Sequence, residues 1–196
     1  MDLRLDASQS KAVIRKELLF RRNSLSPSSR HEKSLRISKR LQGMDHFQSA
    51  QSIHIYLSHA TEVETDLLIQ ETLRLKKRVL VPVLSSTSDT LHFSELPNFD
   101  PAGLEVGPFG IRQPRLRYQK IRPASSIDLW ILPGVGFDLQ GNRLGYGLGY
   151  FDRALQEIEL PAIGLAFDLQ VVDYLPLETT DRPVSQIVTE TRTLLL

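Results

Sequence analysis

The chain of 196 residues contains no cysteine. Disulfides, thiolate zinc sites and cysteine nucleophiles are therefore excluded together, which is compatible with a reducing cytoplasm. No apolar run approaches the roughly 20 residues of a bilayer span. The N-terminal stretch MDLRLDASQSKAVIRK lacks the continuous apolar core of a secretory signal. A formal net charge of +1 gives no strong field for nucleic acid or an acidic membrane. Internal repeats, low-complexity tracts and a convincing linker are missing as well. The expectation is a cytoplasmic monomer whose partners are small molecules. With 41% hydrophobic and 24% charged residues, the chain has an ordinary globular composition and is long enough for one domain with a substantial core.

What is present is concentrated. Six of the 11 glycines fall between Gly134 and Gly149, inside ILPGVGFDLQGNRLGYGLGYFDR. An apolar run with strand character, Ile127 to Leu132, ends at Pro133-Gly134; a helix is predicted from Tyr150 to Ile158. Glycine between a strand and a helix lets peptide N–H groups approach a ligand closely. Successive N–H groups in such a turn make a concavity suited to phosphate. Arg143 adds a planar five-donor cation, and Asp152 a hard oxygen of the kind Mg²⁺ prefers. The stretch reads as a nucleotide-phosphate site, although glycine count alone fits a mobile surface hairpin equally well. It is not a Walker A loop, which needs Lys-Ser or Lys-Thr after the glycines. Gly145-x-Gly147-x-Gly149 also lacks the dinucleotide spacing.

The remaining chain alternates helices and strands. A first helix, capped by Ser8 or Ser10, runs to about Asn23. A second starts at Ser26-Pro27 and stops at Gly43, with Ile37, Leu41 and Met44 inward. Strands are predicted at Ser52 to Leu57, Val79 to Leu84, Leu91 to Leu96 and Ala162 to Phe167, and another follows the loop after Pro176. Pro82 argues for an edge or a strand end. A helix from Asp66 to Lys77 takes Thr65 as its cap. Residues 97 to 123, rich in proline and glycine, read as irregular with some pairing to the sheet. This order predicts an α/β fold: a single domain with a mainly parallel open sheet and helices on both faces.

Other residues are less decided on their own. Lys11 and Arg15 share a helix face and read as a solvated basic face. Glu62 and Glu64 stand beyond a strand's carboxyl end, as ligand contacts or as helix decoration. Phe109 reads as a core plug, and Asp181, before Arg182-Pro183, as a turn aspartate. His59 has no partner pattern and reads as incidental.

Taken together the strings resemble the 5-formyltetrahydrofolate cyclo-ligase family. Pro133-Gly-x-x-Phe-Asp followed by Gly141-x-Arg-Leu-Gly-x-Gly-x-Gly-Tyr-x-Asp-Arg153 carries most of the likeness. Lys11-Ala12-Val13-Ile14-Arg15, Leu57-Ser-His-Ala-Thr-Glu62-Val-Glu-Thr65, Phe109-Gly-Ile-Arg-Gln-Pro114 and Asp181-x-x-Val-x-x-Ile-x-x-Glu190 extend it over nearly the whole chain. The resemblance implies ATP-dependent closure of 5-formyltetrahydrofolate to 5,10-methenyltetrahydrofolate, with release of ADP and phosphate and with Mg²⁺ as cofactor. It implies ATP contacts at Lys11, Ala12, Val13, Ile14 and Arg15 and along Arg143, Leu144, Gly145, Tyr146, Gly147, Leu148, Gly149, Tyr150 and Phe151. Folate contacts are implied at Leu57, Glu62, Phe109 and Tyr146 to Tyr150 (Gly147, Leu148 and Gly149 included). Catalytic roles fall to Arg143 and Tyr150, and metal contacts to Asp152 and Asp181. This chain departs from relatives by having Tyr146 and Leu148 where some carry cations, and Phe109 where tryptophan is usual. Two other classes stay open: a folate- or nucleotide-binding module with little turnover, and a sugar-phosphate isomerase-like enzyme.

Overall fold

The computed structural model describes residues 10–85, 88–156 and 161–196. Its first elements are α1 (Lys11–Asn23), α2 (Pro27–Gln42), α3 (Asp45–Ser49), β1 (Ser52–Ile55), α4 (Asp66–Arg74), β2 (Arg78–Ser85) and β3 (Ser88–Leu96). The middle contributes β4 (Leu104–Val106), β5 (Arg112–Pro114), β6 (Ile121–Arg122), β7 (Leu129–Leu132), β8 (Gly136–Asp138) and β9 (Arg143–Leu144). Then follow α5 (Tyr150–Ala154), β10 (Ala162–Leu165), β11 (Val171–Val172), β12 (Gln186–Val188) and β13 (Thr193–Leu195).

β1, β7 and β10 are buried at every position, the pattern of strands covered on both faces. They form the centre of a sheet ordered β13-β12-β10-β7-β1-β2-β3-β6. The five strands from β12 to β2 run parallel. β13 on one side, and β3 and β6 on the other, add antiparallel edges. Side chains alternate between the faces. Ile53, Ile55, Val81, Ile131 and Ile163 pack against Ile37 and Leu41 of α2, Phe47 of α3 and Leu68 of α4. Leu80, Trp130, Leu132 and Ala162 join Phe93, Phe137 and Leu155 on the opposite face, with α5 lying over them. The expected mainly parallel sheet with helices on both faces is therefore present.

A second layer governs where α1 lies. β8 pairs with β9 and with β11 in a small separate sheet. Ile14 and Leu18 of α1 pack on Val135, Leu144, Val172 and Leu175 around it. The contact is close enough that a Cβ on Gly136 would fall 2.3 Å from Leu18 Cδ1. Phe137 is similarly tight: Cβ atoms on Gly134 and Gly164 would each lie about 2.5 Å or less from its ring. The glycines of the strand–loop junction are spaces for packed side chains as much as flexible links.

Several local expectations need correction. Pro82 is at neither an edge nor an end, since β2 lies between β1 and β3. Its pairing with β1 stops at Leu80, so proline's missing N–H costs nothing on that side. Thr65 precedes α4 without capping it; its Oγ1 donates to the Tyr56 carbonyl at 2.6 Å. That helix stops at Arg74, short of Lys77, where Lys76 takes a φ of +62°. Ser26 does cap α2, accepting from Ser29 N at 3.2 Å. Ser10 precedes α1 without a side-chain cap bond, and Ser8 lies outside the described residues. The post-loop helix covers Tyr150–Ala154, and Ile158 is outside the described residues. The expected loop from Gly134 to Gly149 contains β8 and β9, too short to show any alternation.

His54 tests the packing. It is fully buried, its Nδ1–H donates to the Ile131 carbonyl at 3.1 Å, and its ring stacks on Trp130 with centroids 5.1 Å apart. Burial lowers its pKa to about 3. Below about pH 6.5 the unfolded chain takes up a proton that the folded chain refuses until about pH 3, so stability falls as pH drops through that window. Urea unfolding should show His54→Leu losing about 2 kcal/mol less than the parent between about pH 6.5 and 5. Equal losses would clear His54 of the acid lability.

Candidate active site

The strand order reverses between β1 and β7, because the chain moves from β1 to β2 on one side and later to β7 on the other. In open α/β sheets a crevice opens beyond the carboxyl ends of strands at such a point. A cavity of about 1130 Å³ lies there, lined by Tyr56 and Leu57 after β1 and by Pro133 and Gly134 after β7.

Three segments distant in sequence wall it. Docking of Leu18 on Gly136 turns Lys11, Ala12 and Arg15 of α1 into the cavity. The side chains of Val13 and Ile14 do not follow and are not in its lining. At 100° per residue Val13 points to solvent, 51% exposed, and Ile14 enters the core, 1% exposed. Arg143 through Phe151, the whole glycine segment, lines the second wall together with Asp152 and Arg153. Leu57, His59, Glu62 and Phe109 make the third, and Pro176 to Asp181 borders the opening. At 60% exposure Phe109 is no core plug. Its backbone is left-handed (φ +58°), and its ring lies 6.4 Å from that of Tyr150. Glu64 faces away from this cavity and pairs with His31 and Arg30 of α2.

The two-residue glycine spacing has a structural cause. A Cβ on Gly145 would crowd Arg143, one on Gly147 would meet Arg15, and one on Gly149 would meet Arg153, at 3.0–3.5 Å. Gly147 and Gly149 also take φ values of +102° and +63°, which side chains disfavour. Three guanidinium groups thus lie over a backbone ribbon. Arg15 Nε donates to the Gly145 carbonyl at 2.8 Å, and Arg153 to the Leu148 carbonyl at 2.9 Å. Anions are the natural guests of such a surface.

Carboxylates answer Arg143 and Lys11. Arg143, buried, donates to Asp152 Oδ1 at 2.8 Å, and its Nε has no partner among the described residues. Lys11 donates to Asp181 at 2.6 Å and pairs with Glu178 at 3.1 Å. Burial opposes the charge on Lys11, but these two carboxylates outweigh it and hold its pKa above the ordinary lysine value. Glu62 is the opposite case. Burial raises its pKa, against the His59 N–H donated at 2.8 Å and the nearby Arg22 and Tyr146. Among the described residues no three His, Asp or Glu side chains cluster as a metal site.

Sequence reasoning missed three participants. His59, read as incidental, lines the cavity, supplies its N–H to Glu62 and packs its ring against Gly110. Arg153 sits over Gly149. Arg22 is 1% exposed and reaches Thr61, Gly134 and Tyr146. Its signal was available, because Lys11, Arg15, Leu18 and Arg22 recur on one helical stripe.

A deep cleft over the switch point, with an anion-attracting glycine wall facing a buried carboxylate, defines a ligand-processing α/β protein of the open-sheet class. The model of the 5-formyltetrahydrofolate cyclo-ligase family matches residues 7–190. The Haemophilus influenzae 5-formyltetrahydrofolate cyclo-ligase is 31% identical over 92% of this chain and 98% of its own. The Escherichia coli K12 enzyme of that name is 32% identical over 88% and 96%. The NMR structure of Aquifex aeolicus 5,10-methenyltetrahydrofolate synthetase superposes with a TM-score of 0.82 at 31% identity, covering 94% of this chain and 92% of that one. The chain belongs to the 5-formyltetrahydrofolate cyclo-ligase family and is an enzyme of that class. No helix among the described residues is long and apolar enough to cross a membrane.

Because burial makes ionised Glu62 costly, Glu62→Gln should raise the thermal midpoint at neutral pH while impairing the site. The gain should vanish as pH falls and the parent carboxylate takes up its proton. A midpoint lowered at neutral pH would mean that the charge is net stabilising there.

Proposed function

We propose that the protein uses ATP to close 5-formyltetrahydrofolate into 5,10-methenyltetrahydrofolate, releasing ADP and phosphate. One observation carries this reading. A single cavity sets Lys11, Arg15, Arg143 and the glycine ribbon opposite Leu57, Glu62, Phe109 and Tyr150. The first set suits a triphosphate, and the second an aromatic ring system with N–H donors.

A formamide carbonyl is a poor electrophile and its oxygen a poor leaving group. Transfer of the γ-phosphoryl to that oxygen forms an O–P bond as the bond to ADP breaks. N10 then attacks the activated carbon and loses its proton, and the C–O bond breaks to release phosphate. No protein nucleophile is needed, so the residues position reactants and stabilise charge. Lys11 and Arg15 hold the phosphate chain from the α1 side. Arg143 meets the charge that develops as the phosphoryl moves, with peptide N–H groups from Gly145 to Gly149 beside it. The Glu62 carboxylate accepts pterin N–H donors, while Phe109 and Tyr150 flank the ring.

Mg²⁺ fits the residues present: Asp152 and Asp181 offer hard oxygens on the same cavity and would hold it. When bound it would neutralise phosphate charge. Each carboxylate is paired with Arg143 or Lys11, and metal binding would free those cations for phosphate.

Incubation of the protein with 5-formyltetrahydrofolate and Mg-ATP should produce the methenyl chromophore only when ATP is present. Tight folate binding without chromophore would indicate a binding module instead. Arg143→Ala should lower turnover about 10²- to 10³-fold while circular dichroism reports a folded chain. Full activity in that variant would remove Arg143 from the site. Gly147→Ala, strained at φ +102°, should weaken ATP binding about tenfold by calorimetry. Unchanged affinity would place the nucleotide elsewhere.

A further inference from the structure

Arg22 belongs to no ligand contact implied above, yet it is among the largest fully buried side chains. Its guanidinium joins three segments that meet around the cavity. Nε donates to Thr61 Oγ1 at 3.1 Å, immediately before Glu62 in the chain. One terminal nitrogen donates to the Gly134 carbonyl at 3.3 Å, at the carboxyl end of β7. The other donates to the Tyr146 hydroxyl at 2.6 Å, within the glycine segment. Thr61 passes its own proton to Asn23 Oδ1 at 2.6 Å, and Gln170 holds the same Gly134 carbonyl at 2.9 Å.

All three acceptors are neutral oxygens, which is an expensive way to bury a cation. The balancing charge is Glu62, which feels Arg22 electrostatically and is reached by the Tyr146 hydroxyl. Because Arg22 can only donate, the Tyr146 oxygen accepts from it, which leaves the Tyr146 proton for the Glu62 carboxylate beside it. Arg22 therefore bears on Glu62 twice, through Tyr146 and through Thr61, the residue before it.

We propose that Arg22 is a positioning residue for the folate substrate, acting through Tyr146 and Thr61 to orient Glu62. The proposal rests on the folate-site reading of Glu62 given above. Arg22 lies behind Tyr146 and outside the cavity lining. A buried Arg22 keeps its charge off the phosphates and commits it to the pterin side. The groups facing Glu62 are Arg22 from α1, Tyr146 from the glycine segment, Tyr56 from the end of β1 and His59 from its own loop.

The test combines Tyr146→Phe, which deletes one hydroxyl from a half-buried ring, with Arg22→Met. Carbon-13 NMR of the Glu62 carboxyl should show its titration moving to higher pH in Tyr146→Phe, and in Arg22→Met if that protein folds. The acid limb of kcat/KM for 5-formyltetrahydrofolate should move with it. KM for that substrate should rise about tenfold in either variant. In Arg22→Met, KM for ATP should stay within about twofold. A Glu62 titration unmoved in Tyr146→Phe would overturn the proposal, and so would a parallel rise of both KM values in Arg22→Met. Absence of turnover in the parent would instead sink the ligase reading, while the carboxyl titration, which needs no turnover, would still decide the role of Arg22.

Discussion

Helix α1 reaches the cleft because Gly136 has no side chain. Leu18 sits where a Cβ on that glycine would be, 2.3 Å from Cδ1, and this contact sets both the depth and the rotation of the helix. Rotation is what matters chemically. With Leu18 and Ile14 turned onto the small sheet, Lys11 and Arg15 must face the crevice, with Arg22 packed behind Tyr146. A helix set even a methyl group further out would move three cations away from the glycine ribbon together.

The crevice itself follows from topology. Five parallel strands with connections leaving in both directions from β1 leave a gap at their carboxyl ends, and the fold fills it with loops. Those loops are held more firmly than loop character suggests. Asp138, fully buried, accepts from the backbone N–H groups of Gln140, Asn142 and Leu175 at 2.9–3.0 Å, pinning the β8–β9 turn to the segment beyond β11. Glu190, paired with Lys33, accepts from Asp168 N at 2.9 Å and ties α2 to the far edge. Between Gly145 and Gly149, guanidinium groups do the holding.

Several charges in the cleft are answered by opposite ones. Lys11 meets Asp181 and Glu178, Arg143 meets Asp152, and Arg22 is answered by Glu62 through Tyr146. This arrangement keeps a crowded basic surface tolerable without ligand, while each carboxylate remains exchangeable for a phosphate oxygen or a metal. The buried cations and the raised pKa of Glu62 are costs of folding, of the kind that accumulates where function overrides stability.

Much of this was written in the chain. Buried runs such as LWIL and AIGL declare a parallel sheet because no polar face interrupts them. The clustered glycines with Arg143 and Asp152 announce an anion site, and the spacing of Lys11 and Arg15 places two cations on one helical face. These are local properties, set by backbone freedom and by 3.6-residue periodicity. The sequence could not tell that Val13 and Ile14 would leave the cleft, that Pro82 would sit inside a paired strand, or that His59 would serve Glu62. Each depends on which surface an element turns toward a neighbour remote in the chain. Arg22 shows the divide most clearly: its stripe is legible from spacing, but its burial and its three partners exist only because α1, β7 and the glycine segment meet at one point.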